Sequence, residues 1–348
     1  MFRVFAFVGA AALAALSVAA APAATPSAPI HITIGAGGKG LYHFYPLYVA
    51  QAEHFFEKEG LDVTWLQVAG GSQLVASLVG GSAQVAPMAL EHVVIPGERA
   101  AGLVEFAKLF DVDPYSLVLS NKAIADSGIK PDMPLAEKLR RLNGMTIGIT
   151  APGGASDTFV RFMMKSRGIN ADQLVRLQPM GSVAAMLGAL SRNMIQGLSM
   201  STPVDTVAVS KGYGKVVISA FNAEVPELRG MPFTGMVATQ SYIAAHPEVI
   251  ARVTRAISDA LRFNVEHPAE TRDALFQYSL IADRPVYDGM IRQYQNAAAR
   301  SPVLTEPQFA NLVKWVQLGE QEPVKTRFSD AVDNRFADKT AAESLGRK

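Results

Sequence analysis

Apolar positions along the chain switch repeatedly between a two-residue and a 3.6-residue period. "HITIG" alternates as a strand, and Pro46 suits the first turn of a helix that "LYVAQAEHFFEKE" continues and Gly60 stops. "LDVTWLQV" predicts a second strand, "SQLVASLVGG" a short helix closed by glycines, and "AQVAPM" a third strand. "ALEHVVIPGERAAG" then predicts a helix disturbed by its proline, and "VEFAKLF" a fourth strand. Strand, helix and strand at this spacing predict parallel crossovers.

"DVDPYSLVLSN" is an extended run entered through a proline turn, and after it the same grammar restarts. Helices over "PLAEKLRRLNG", "GASDTFVRFMMKSRG", "SVAAMLGALSRN" and "PVDTVAVSKG" alternate with strands over "MTIGIT", "LVRLQPM", "IQGLSMS" and "KVVISAF". "TGMVATQSYI" predicts one more strand, and "HPEVIARVTRAISDALRFNVEHPAETRDALFQY" and "TEPQFANLVKWVQLGE" predict helices with polar faces. The predicted fold class is therefore α/β, with two doubly wound lobes. Residues 30–114 and 235–348 form a discontinuous first lobe, and residues 122–230 an inserted second lobe. The chain is expected to cross at about residues 115–121 and 231–239. A cleft between two such sheets collects the C-terminal ends of strands from both sides.

Composition narrows the setting. The N-terminus carries one cation, Arg3, then an apolar run from Val4 to Ala20 and the small residues "APAATPSAP". That order predicts a secretory signal peptide over residues 1–23, with Ala21-Pro22-Ala23 or Ser17-Val18-Ala19 as the cleavage site. A retained membrane anchor is the alternative, and the run is barely long enough for one. The chain has no cysteine, which removes thiol nucleophiles, thiolate metal sites, disulfides and a lipid-anchored cysteine together. The expectation is a free periplasmic protein. With 32 Lys+Arg against 31 Asp+Glu, the near-neutral balance argues against nucleic acid as a partner.

"FYPLYVAQAEHFFEKEGLDV", "GGSQLVASLVGGSAQVAPM", "LNGMTIGITAPGGASDTFVRFMMKSRGI", "AAHPEVIARVTRAISDALRFNVEHPAE" and "DNRFAD" together resemble one known family. It is that of the solute-binding proteins of nitrate, sulfonate, taurine and thiamine-pyrimidine-precursor transport. The order and spacing of these short stretches carry the resemblance, which covers nearly the whole mature chain. It implies the periplasmic binding protein fold and a monomer that closes on a small molecule. It also implies delivery of that molecule to an ABC transporter permease in the inner membrane, with no cofactor.

In that family the ligand touches loops at strand ends, and this places five groups of candidates. His43, Phe44 and Tyr45 follow the first strand; the rings can enclose a flat ligand, or Phe44 and Tyr45 can pack under the helix as a staple. Gly70, Gly71, Ser72 and Gln73 open a helix whose free N–H groups suit an anion's oxygens, while Ser72 is equally an N-cap. Pro87, Met88, Glu91 and His92 follow the third strand. Glu91 would pair with a cationic or N–H-rich ligand, or is an exposed first-turn acid. Thr150, Gly153, Gly154, Ala155 and Ser156 offer a second open helix start, or only a glycine turn. Ser201, Thr202 and Asp205 complete the ring, although Thr202-Pro203 also reads as an N-cap followed by proline.

Other chemistries fit less well. Gly35, Gly37 and Gly40 spell G-x-G-x-x-G after a strand. However, "LYHFY" separates the last glycine from the helix, and no acid ends the second strand, so a dinucleotide site is not expected. The glycines read instead as a flexible turn that presents His43, Phe44 and Tyr45. No H-E-x-x-H, G-x-S-x-G or Walker pattern occurs. Relatives that make the thiamine pyrimidine carry a cysteine-rich signature that this chain lacks. An exported enzyme or a receptor that delivers to a sensor remains the alternative. For a metal, His43, His54, Glu91 and His92 are the one cluster worth naming. Their spacing matches no ligand motif, and His54, beside Phe55 and Phe56, is expected to be half-buried.

Overall fold

The structure is a computed structural model and describes Met1 and residues 28–37, 40–68, 70–95, 102–319 and 323–337. The expected signal peptide and the last eleven residues lie outside these. Among the described residues ten strands form two sheets. β1 (Ile30–Gly37), β2 (Leu61–Val68), β3 (Ala86–Ala89), β4 (Leu103–Phe110) and β10 (Thr234–Thr239) build the first. β5 (Tyr115–Ser120), β6 (Thr146–Ile149), β7 (Arg176–Pro179), β8 (Gly197–Ser201) and β9 (Gly214–Ser219) build the second.

In the first sheet β1 runs parallel to β2, from Ile30 opposite Leu61 to Gly37 opposite Val68. It reaches Val85, the residue just before β3, through a parallel bridge from Ile34, with Gly35 N–H donating to Val85 O at 2.9 Å. β10 lies antiparallel between β3 and β4, giving the order β2-β1-β3-β10-β4. The second sheet has the order β7-β6-β8-β5-β9, with β5 antiparallel to both neighbours. The two orders correspond strand for strand, so the repeated grammar in the sequence is a repeated topology.

In each sheet the antiparallel strand is the one that the chain supplies on arriving from the other lobe. This moves both expected crossings. Tyr115–Ser120 and Thr234–Thr239 are interior strands, and the chain passes between sheets over residues 111–114 and 220–233. The reason is visible in the burial. Every residue of β5 is buried, so "YSLVLS" is a strand covered on both faces and shows no alternation to separate it from a linker.

Some local expectations also change. Gly35 and Gly37 belong to β1 itself. A Cβ on either would stand 2.9 or 3.0 Å from the Leu74 side chain, so they make room for the helix Gly71–Val79 rather than flexibility. Gly40 does form the turn, with φ +77°, where a side chain would be strained. After β3 the chain makes a short 3-10 turn over Leu90–Val93 instead of the start of a helix, and residues 96–101 lie outside the description. "TGMVATQSYI" divides into β10 and a helix Gln240–Ala245, because Thr239 Oγ1 accepts from Tyr242 N–H at 3.2 Å and caps it.

Helices cover both sheets with periodic apolar faces. Ile250, Val253, Ile257 and Leu261 of the helix Pro247–Glu266 face the first lobe's core. Phe159, Val160, Phe162 and Met163 of Ala155–Lys165 face that of the second. The helix Glu306–Gly319 touches both lobes. Its Gln308 bonds Asp111 Oδ1 at 3.0 Å and accepts from Lys108 Nζ at 3.1 Å, and its Trp315 packs on Phe162 at a ring-centroid distance of 6.0 Å.

Candidate ligand cleft

Between the sheets, at the C-terminal ends of their parallel strands, lies a cavity of about 140 Å³. The first lobe lines it with Leu41, His43 and Phe44 after β1, with Gly70 to Leu74 after β2, and with Met88, Ala89 and His92 around the end of β3. The second lobe contributes Thr150, Ala151, Gly154 and Ala155 after β6, Gly181 after β7 and Met200 of β8. Tyr115 and Phe233, beside the two crossings, close its back.

The back wall is a set of four rings. A 3-10 turn over Tyr42–Phe44 sets His43 and Phe44 side by side, at 4.1 Å between ring centroids. Phe233 stands edge-on to His43 at 5.3 Å and to Tyr115 at 5.6 Å, while Tyr115 stacks on His43 at 6.5 Å. Thr234 Oγ1 donates to His43 O at 2.8 Å, tying the turn to β10. The His43 imidazole is buried and its Nδ1 has no partner among the described residues. Burial pushes its pKa down to about 3, so at neutral pH the ring is uncharged.

Tyr45 is not part of this wall. The same turn that aims His43 at the cleft aims Tyr45 inward, where its hydroxyl donates to Gln295 O at 2.9 Å and its ring meets Phe110 edge-on. Met88 and Ala89, at the C-terminal end of β3, reach the cleft, while Pro87, opposite Met236 in the ladder, does not.

Gly70, Gly71, Ser72 and Gln73 all reach the cleft. Gly70, not Ser72, is the N-cap of the helix, so the N–H groups of Gly71 and Ser72 have no intrahelical acceptor. Gly71 is required by close approach, because a Cβ there would collide with Nε2 of His92. Across the cleft Gly154 is the N-cap of the helix Ala155–Lys165. Gly153 and Ser156 build that loop without lining the cavity. Gly153 N–H donates to Asp157 Oδ2 at 2.8 Å, and Ser156 Oγ accepts from Thr150 N–H at 2.9 Å. Those donors and that hydroxyl are already used.

Ser201, Thr202 and Asp205 lie off the cavity, in the second lobe's interior. Asp205 Oδ2 accepts from Ser116 Oγ at 3.0 Å and Thr202 Oγ1 at 3.2 Å, and Oδ1 from Thr206 N–H at 2.6 Å. The helix here is Val204–Ser210 with Pro203 as N-cap, so Thr202 does not cap it. Its carbonyl instead accepts from Tyr42 N–H at 3.3 Å, a bond between the lobes.

Glu91 is neither an exposed acid nor part of the lining. It is 1% exposed, and neither carboxyl oxygen has a partner among the described residues. Burial raises its pKa to about 8, and Asp113 nearby adds to the rise. Asp113, in the first crossing, is pushed up to about 7 by burial, although its Oδ1 accepts from Tyr115 N–H at 2.8 Å. His54 is exposed rather than half-buried and pairs with Glu57 at 3.3 Å. No three His, Asp or Glu side chains among the described residues are grouped to hold a metal ion.

The lining is mostly apolar, and among its described residues there is no Lys, Arg, Asp or Glu. Lys39 lies outside the description. The two helix ends could each favour an anion by about 0.3–1 kcal/mol. An anion there would have only the N–H groups of these helix ends, and no side-chain cation of the described lining, to pair with. Sequence reasoning missed Tyr115 and Phe233, having placed both stretches in crossings. An aromatic at each end of a crossing was the available signal. Among the described residues no helix is long and apolar enough to cross a membrane.

Comparison with known proteins bears on this geometry. A structure from Bordetella bronchiseptica RB50 is 26% identical, with a TM-score of 0.79, over 90% of this chain and 98% of that one. The periplasmic nitrate-binding protein NrtA of Synechocystis PCC 6803 is 16% identical, with a TM-score of 0.69, over 90% of this chain and 89% of that one. The protein YtlA of Bacillus subtilis is 24% identical over 86% of this chain and 87% of its own length. The 4-amino-5-hydroxymethyl-2-methylpyrimidine phosphate synthase of Aspergillus parasiticus is 24% identical over 70% of this chain and 69% of its own. The description of the NMT1-like family matches residues 27–279. Two sheets of matching strand order, with a cleft at their strand ends, thus go with a sequence match over most of the chain: the protein belongs to the NMT1-like family and has the periplasmic binding protein fold.

Proposed function

We propose that the protein captures a small organic solute in this cleft and delivers it to an ABC-type permease of the inner membrane. In this reading it works in the periplasm after removal of its leader. The observation that carries the reading is the shared cavity, walled by four rings at the back and by two open helix ends in front. Such a site encloses a ligand only while both lobes face it, so binding favours the closed arrangement. The ring wall suits an aromatic or pyrimidine-like body, and the helix ends suit the acceptor atoms of a carbonyl, carboxylate or sulfonate.

The test is a thermal-shift screen of the full mature chain against sulfonates, nitrate, taurine, aromatic carboxylates and amides, and pyrimidines. A true ligand at 100 times its dissociation constant adds roughly 2.7 kcal/mol to stability. Cells lacking the protein should then fail to import that solute. If no small molecule stabilises it, the reading is wrong. The synthase among its relatives supports a second reading, an exported enzyme. Against it stands the absence of any cysteine. Consumption of the stabilising solute by the purified protein would favour the enzyme.

A further inference from the structure

We propose that the cleft selects a solute whose buried end is a hydrogen-bond-donating nitrogen, neutral or positively charged, that it disfavours oxyanions, and that Glu91 and Asp113 set this preference. The inference rests on the cleft being the ligand site. Its ground is a cluster of acceptors in and behind the ring wall that have no partner among the described residues. They are His43 Nδ1, both carboxyl oxygens of Glu91 and Asp113 Oδ2. Tyr115 joins them into one neighbourhood. Its ring stacks on His43, it faces Ser201 in the β5–β8 ladder, and its hydroxyl feels the charge of both Glu91 and Asp113.

Buried polar atoms are nearly always paired, so a group of acceptors calls for donors. The described lining supplies no cation to meet them, and His43, held neutral by burial, does not become one near neutral pH. An N–H group at the wall would satisfy His43. A cationic nitrogen would also favour the ionised form of the carboxyls behind Tyr115. An oxyanion would hold both carboxyls protonated and gain no attraction from them, whereas a donor gains it. Glu91 touches the ligand only through this wall, so it acts as a positioning and specificity residue.

Four probes of nearly one shape test this: benzamidine, benzamide, benzoate and benzenesulfonate, titrated calorimetrically into the full mature chain at pH 7. The better of the two nitrogen donors should bind at least about tenfold tighter than either anion. Whether the cation or the neutral amide leads tells which form is preferred and supports the proposal either way. In Glu91→Gln the ratio of donor to anion affinity should fall to about threefold or less. A purely structural role would weaken all four probes equally. Asp113→Asn provides the same test if Glu91→Gln does not fold.

Tighter binding of an anion, or an unchanged ratio in the folded variants, overturns the proposal. Anion binding that disappears in Lys39→Met would identify Lys39 as a cation in the site and overturns it too. Failure of all four probes to bind also overturns it, but leaves the receptor reading to stand or fall on the wider screen.

Discussion

The two lobes share one strand order and use it differently. At the cleft the first lobe presents side chains: His43, Phe44, Gln73, Met88 and His92. The second presents mainly backbone and small groups, Thr150, Ala151, Gly154, Ala155 and Gly181, with Met200 and, from the start of β5, Tyr115 as its large side chains among the described lining residues. They also treat a buried carboxyl differently. Asp205 of the second lobe receives hydrogen bonds from Ser116, Thr202 and Thr206, while Glu91 of the first receives none from the described residues. A duplicated scaffold thus separates two tasks. In the proposed reading the first lobe supplies most of the discriminating side chains, and the second meets them with a mainly backbone surface.

The largest effect is expected where the lobes share a wall. Phe233→Ala opens a cavity against His43 and Tyr115 and should cost about 3–5 kcal/mol in urea unfolding. Ligand affinity should fall as well; a loss under about 1 kcal/mol would mean that the ring wall is not a packed unit.

Next come two glycines that open equivalent-looking helix ends. Gly71→Ala drives a Cβ into His92 and should cost about 1–3 kcal/mol, together with affinity. Gly154→Ala, whose Cβ would stand 3.4 Å from Ala151 O at a φ of −87°, should stay within about 0.5 kcal/mol. Equal losses in thermal unfolding would erase the asymmetry between the lobes.

The carboxyls make stability depend on pH. Folded Glu91, with its pKa raised from 4.5 to about 8, keeps a proton that the unfolded chain has released. Its contribution is complete below pH 4.5 and lost as pH rises through about 8. Asp113 behaves alike between 3.8 and about 7. His43 has the opposite sign, being lowered from 6.5 to about 3, and is lost as pH falls through that range. Above pH 6.5 only the carboxyls act among these three, so stability should decline toward pH 8, by at most about 1.4 kcal/mol per pH unit for each group. Glu91→Gln should flatten that decline in melting temperature. Ser156→Ala, which frees the Thr150 N–H, should cost about 0.5–1.5 kcal/mol.

How much of this was legible depends on whether the signal was local. Helix starts at Gly71 and Gly154 were readable because a glycine pair before an apolar period is a local pattern, and with them came Ser72, Gln73, Thr150 and Ala155 at the cleft. The doubled grammar was readable because each lobe repeats its strand and helix periods. Tyr45, Pro87, Glu91 and Asp205 were misplaced because the face of a short turn or four-residue strand that meets the cleft is decided by packing from distant segments, such as Gln295 on Tyr45. Tyr115 was passed over because β5 is buried on both faces and reads like a connection, and Phe233 because it ends the connection that leads into β10.

The helix Glu306–Gly319 has a mechanical meaning. Two connections, at residues 111–114 and 220–233, would leave the lobes turning on a single axle. Gln308 clamps this helix to the first lobe at Lys108 and Asp111, and Trp315 rests on Phe162 of the second, away from that axle. A contact outside the two connections adds to what must shift when the lobes move. Any opening of the cleft must carry the helix across with the second lobe or drag one ring over the other, so this contact is a brake on the motion.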